Sequence, residues 1–164
     1  MTVLFYISAC IAVLATAMVI TRTRAVHALL YLIVSLLAVA LIFFTLGAPF
    51  VAALEVIIYA GAIMVLFVFV IMMLNLGAQA AKQEAEWLKL GTWAGPTGLC
   101  GALAVELIYM LTSEQERLSA VAVVTPKEVG MALFGQYVIG VELASMLLLA
   151  GLIGAYHLGR PHRH

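Results

Sequence analysis

A carboxylate, a phenol and a glycine stand close together in one uncharged stretch of this chain. Glu55, Tyr59 and Gly61 lie within Val51 to Leu76, which reads VAALEVIIYAGAIMVLFVFVIMMLNL. Glu55 and Tyr59 are i,i+4 neighbours, so on a helix they share a face. An acid at this position can hold or pass a proton, and a phenol hydroxyl inside lipid requires a partner or water. Gly61, flanked by Ala60 and Ala62, lowers the cost of irregular backbone, so a π-bulge or an unwound turn is expected near Tyr59. The plainer reading is a regular helix with a close-packing glycine, and the residue types alone leave both open.

Two further glutamates fall in apolar runs. Glu142 lies seven residues past Gly135, and Glu55 six past Pro49. At ~1.5 Å per residue, each is then roughly 10 Å down its helix. Acids at such depth are by default members of proton or ion relays, with a structural hydrogen bond as the alternative. Glu106 lies nearer a helix end, where a carboxylate can reach the headgroups, and is read as an interfacial anchor. His27 is expected at the interface, and Gln136 and Ser145 in hydrogen bonds between helices. Cys10 and Cys100 have no CxxC or Cys/His spacing and read as small packing residues. No phosphate loop, nucleophile–base pair or metal spacing is present in the sequence, so no bond-making active site and no metal or cofactor site is expected on this chain.

The elements that must position these groups follow from composition. Of 164 residues, 66% are hydrophobic and 10% charged, against ~25% charged in a soluble domain. Mean hydropathy is +1.19. The expected class is an all-α polytopic membrane protein, because only helices and closed barrels satisfy the backbone in lipid. The long continuous apolar runs exclude the alternating pattern of a barrel. A formal net charge of zero argues against a nucleic-acid partner.

A single integral membrane domain over residues 1–164 is expected, with five helices at about 3–20, 26–46, 51–76, 90–111 and 137–158. Polar connections occupy 77–89 and 112–130. The first run lacks a basic n-region and is too long for a signal peptide's apolar core, so it is read as a retained helix. Arg22, Arg24, Lys82, Lys89, Arg160 and Arg163 fall on one side of this arrangement, with Arg117 and Lys127 on the other. The imbalance makes the first side cytoplasmic, the N-terminus outside and the C-terminus inside. Trp87 and Trp93 flank the start of the fourth helix as interfacial aromatics do. Small residues recur at four-residue spacing in the last helix, as in Gly140/Ala144 and Gly151/Ala155, which permits close helix approach. With no internal repeat visible, this points to a subunit of a larger membrane assembly.

Three blocks carry a resemblance: YAGAIMVLFVFVIMMLNL (Tyr59 to Leu76), RAVHALLYLIVSLLA (Arg24 to Ala38) and LFGQYVIGVELASMLLLAGLIGA (Leu133 to Ala155). They resemble the subunit J family of the bacterial proton-pumping NADH:quinone oxidoreductase, respiratory complex I, equivalent to mitochondrial subunit six. The resemblance implies five helices in the bacterial inner membrane. It implies as partners a quinone-site subunit, small three-helix subunits and antiporter-like subunits. FMN, iron–sulfur clusters and quinone would be held on or between those other subunits. By the same resemblance the third helix carries a π-bulge at Tyr59 that converts to regular helix and gates a water path. The expected path or gating residues are Glu55, Tyr59, Gly61, Val65, Phe67 and Glu142. Competing readings are the equivalent subunit of a cation/proton antiporter or membrane-bound hydrogenase, a stand-alone transporter, and a structural spacer.

Overall fold

The computed structural model describes residues 2–22, 25–74, 90–112 and 123–159. The described residues are helical almost throughout, and five helices among them are long and apolar enough to cross a membrane. The expected all-α polytopic architecture is therefore found. The cations Arg24, Lys82, Lys89, Arg117, Arg160 and Arg163, the indole of Trp87 and most of the two polar connections lie outside the described residues.

We label the helices α1 (Thr2–Thr21), α2 (Ala25–Thr45), α3, α4 (Leu90–Thr112), α5 (Pro126–Phe134) and α6 (Val138–Gly159). Helix α3 has three consecutive sections, Pro49–Leu54, a π-helical Glu55–Ile63, and Met64–Leu74. The chain divides into two compact units, Met1–Val123 and Val124–His164.

In the first unit, α1 and α2 pack along small residues. Ala12, Ala15 and Ala38 are buried at their contact with Ile11, Val34 and Leu41. In lipid, apolar burial gives no driving force between helices, so close van der Waals packing and hydrogen bonds carry the association. Both are present here. Thr16 and Ser35 share a hydrogen bond of 2.8 Å, and each hydroxyl also reaches the Ala12 carbonyl. Leu103 and Met110 of α4 complete the cluster.

The turn from α2 into α3 is short for identifiable reasons. Gly47 takes φ of 80°, the left-handed region that favours glycine. Its amide bonds the Phe44 carbonyl and that of Ala48 bonds Phe43, a Schellman closure of α2. Pro49 then opens α3, where a missing amide proton costs nothing. Helix α3 lies against α2.

In the second unit, the stretch read as a polar connection ends in a helix, α5. Thr125 and Glu128 form a full capping box at its start. The Thr125 amide donates to Glu128 Oε2 at 2.8 Å, and the Glu128 amide to Thr125 Oγ1 at 3.3 Å. Helix α5 passes to α6 through Gly135, Gln136 and Tyr137.

Candidate functional site: a π-helical section in a membrane span

Three of the expected site residues share one local structure. Glu55 opens the π-helical section, Tyr59 sits at its middle and Gly61 near its end. On entry, the Glu55 amide bonds the carbonyls of Val51 and Ala52, the ordinary α register. On exit, the Met64 amide reaches back to Tyr59, five residues away, and also to Gly61. One residue of offset is thus inserted between Glu55 and Met64. The expected bulge near Tyr59 is found, and it extends over Glu55–Ile63 rather than a single turn.

The sequence explains why this segment can wind so. A Cβ built on Gly61 would meet the Val56 carbonyl oxygen at 3.1 Å, tighter than most real contacts. The glycine therefore lets its backbone crowd a carbonyl one wide turn earlier. The section lies between two anchors, since Met64, immediately after it, is only 1% exposed. Ala52, just before it, is buried as well.

The polar and bulky groups face outward from this unit. Tyr59 is 50% exposed and Glu55 half-buried. Val65 and Phe67 stand on the α-helical section beyond Met64, both exposed. Alongside, α2, α3 and α4 enclose an apolar groove of about 430 Å³ lined by Leu37, Phe44, Ala52, Val56, Cys100 and Leu103. Val56 ties this groove to the π section. Glu142 lies on α6 in the second unit, where its carbonyl accepts from Ser145 Oγ at 2.7 Å. Ser145 thus bonds its own helix, where a bond between helices was expected.

One other expectation is corrected. Glu106 is not an interfacial anchor. It is 5% exposed, and one carboxyl oxygen accepts a 2.8 Å hydrogen bond from Ser8 of α1. His27 is buried in the first turn of α2, at the end of that span. Reading the residues singly missed the Ser8–Glu106 pair. Each was visible as a polar residue in an apolar run, but nothing local links positions 98 residues apart.

The arrangement can therefore do two things. It can hold one extra residue of backbone register within a span, and it can present a phenol and a carboxylate from that section. These are properties of a polytopic helical membrane subunit with a built-in backbone irregularity. The family model for NADH-ubiquinone/plastoquinone oxidoreductase chain 6 matches residues 15–158. A Pseudomonas aeruginosa protein named NADH-quinone oxidoreductase subunit J is 57% identical over 157 residues, covering 95% of both chains. The Escherichia coli K12 protein of the same name is 55% identical over 159 residues, 97% of this chain and 86% of that one. A Buchnera aphidicola counterpart is 47% identical over 163 residues, 99% of this chain and 100% of that one. The chain belongs to the NADH-quinone oxidoreductase chain 6 family and is a membrane subunit of that oxidoreductase complex.

Proposed function

We propose that this chain gates or couples proton translocation to quinone reduction through a winding switch in α3. The observation that carries the proposal is the register change between Glu55 and Met64. Loss of the inserted residue would return the section to α-helix and turn everything beyond it by about 100°, one residue's share of a 3.6-residue turn. Val65 and Phe67, which follow Met64, would swing with it. A proton crosses an apolar slab only along water or titratable groups, so bulky side chains entering or leaving such a path close or open it.

In this reading Glu55, Tyr59 and Gly61 form the moving part, Val65 and Phe67 the gate, and Glu142 a second acid on the path. The chain holds no cofactor of its own; FMN, iron–sulfur clusters and quinone lie on or between other subunits of the complex. Its neighbours are the quinone-site subunit, the small three-helix subunits and the antiporter-like subunits. It sits in the bacterial inner membrane with the N-terminus outside and the C-terminus in the cytoplasm, as the distribution of cations supports.

The test is the backbone register of α3 in the assembled enzyme, compared at rest and during NADH oxidation. The proposal expects the Met64 amide bonded to Tyr59 in one state and to Ala60 in the other, with water beside Val65 and Phe67 in only one of them. The same register and the same hydration in both states would refute it.

A further inference from the structure

The buried acid of α4 is used by nothing proposed above. Glu106 lies between Leu103 and Met110, one turn to either side, and both belong to the apolar cluster with Ile11, Ala12, Ala15, Val34, Ala38 and Leu41. Ser8, its partner, is 0% exposed. Oε1 accepts the Ser8 hydroxyl, while Oε2 is buried without a hydrogen-bond partner among the described residues.

No cation approaches it from the described faces of the helices packed around it. On α1 the flanking residues in the cluster are apolar, and Tyr6 and Cys10 are exposed. Arg22 lies fourteen residues beyond Ser8, roughly 21 Å along the axis at ~1.5 Å per residue. It stacks over the Tyr31 ring at 5.4 Å. On α2, the Thr16–Ser35 contact sets an antiparallel register that places Ser8 level with about Phe43. His27 and Tyr31 are then roughly 24 Å and 18 Å further along. On α4 itself, Cys100 and Tyr109 are exposed.

We propose that Ser8 and Glu106 form a second proton-holding site, separate from the π section, in which Glu106 is a neutral carboxylic acid with its proton on Oε2. A carboxylate here would be an unpaired buried charge, far costlier than one unmet neutral hydrogen bond. A serine hydroxyl donating to Oε1 fits the neutral acid, whose carbonyl oxygen needs a donor and whose other oxygen carries the hydrogen. The ligand of this site is the proton alone, and Ser8 fixes which oxygen holds it.

Infrared difference spectroscopy on the purified complex in lipid at neutral pH tests this. Wild type minus Glu106→Gln should contain the carbonyl band of one protonated carboxylic acid, lost in the variant. Ser8→Ala should keep that band and move it to higher wavenumber, because the carbonyl loses its donor. Loss of carboxylate stretching bands in Glu106→Gln would overturn the proposal. So would an unmoved carbonyl band in Ser8→Ala. Gln mimics the neutral acid in shape, so failure of Glu106→Gln to assemble while Ser8→Ala assembles would also count against it.

Discussion

The Met64 backbone amide donates to the Tyr59 carbonyl, five residues back, and the Met64 side chain directly beyond is buried almost completely. The register irregularity and a buried side chain are thus adjacent in the chain. Met64 is the first residue past the wide turn, and it is buried where the α register resumes.

The proposed switch makes Gly61 the position that sets which winding is favoured. A side chain there would press on the Val56 carbonyl oxygen at 3.1 Å in the observed register. Gly61→Val should therefore penalise the π form, and a bias of about 1.4 kcal/mol changes the ratio of two states tenfold. We expect Gly61→Val to lower protons translocated per NADH oxidised severalfold in an assembled enzyme, with Gly61→Ala intermediate. Tyr59→Phe, which removes only the hydroxyl, should also reduce coupling. Proton uptake into inverted membrane vesicles, set against NADH consumption, measures both. Wild-type stoichiometry in the two variants would contradict the gating role.

Gly95 is tied to a different contact. A Cβ at Gly95 would collide with the Tyr31 hydroxyl and crowd its ring carbon at 3.2 Å. Tyr31 is buried and lies under Arg22, so it has little freedom to retreat. Gly95→Ala should cost about 1–3 kcal/mol of stability, the usual range for overpacking. Adding Tyr31→Phe should recover part of that loss. Gly98→Ala, where the added carbon meets nothing within 4 Å, is the matched control. The amount of this subunit retained in purified complex reads the outcome.

Much of this was legible in the sequence because lipid imposes length and polarity directly. The five spans follow from long apolar runs, and the short passage between the second and third from Gly47 followed by Pro49. The π section was foreshadowed by Tyr59 and Gly61, but its extent was not, since hydrogen-bond register leaves no residue signature of its own. Glu106 was misread for a physical reason. Distance from a helix end says whether a carboxylate could reach water, not whether Ser8 waits on the helix beside it. Helix α5 was missed because it is short and its first residues continue a polar stretch, although Thr125, Pro126 and Glu128 together spell a capping box with a first-turn proline inside it.

That capping box makes a local prediction. Thr125→Ala removes the acceptor for the Glu128 amide and should destabilise α5 by about 1 kcal/mol. Hydrogen exchange at amides of α5 should speed up about fivefold, since opening populations scale with that free energy. Thr125→Ser keeps the hydroxyl and should leave the rates near wild type. Glu128→Gln keeps an acceptor for the Thr125 amide and should have a smaller effect than Thr125→Ala.

Gly135 makes the sharpest steric demand in the second unit. A Cβ there would lie 2.6 Å from the carbonyl oxygen of Met131. That atom is backbone, so the clash cannot be relieved by rotating a side chain. The junction must open, and the Tyr137 amide would then lose its 3.0 Å bond to the Ala132 carbonyl. Gly135→Ala should therefore disturb the passage from α5 into α6 by more than about 1 kcal/mol, whereas Gly130→Ala, which meets open space, should be tolerated. Exchange rates at the amides of Tyr137 and Val141 report on the junction, and comparable protection in the two variants would show that this close approach is not what requires glycine.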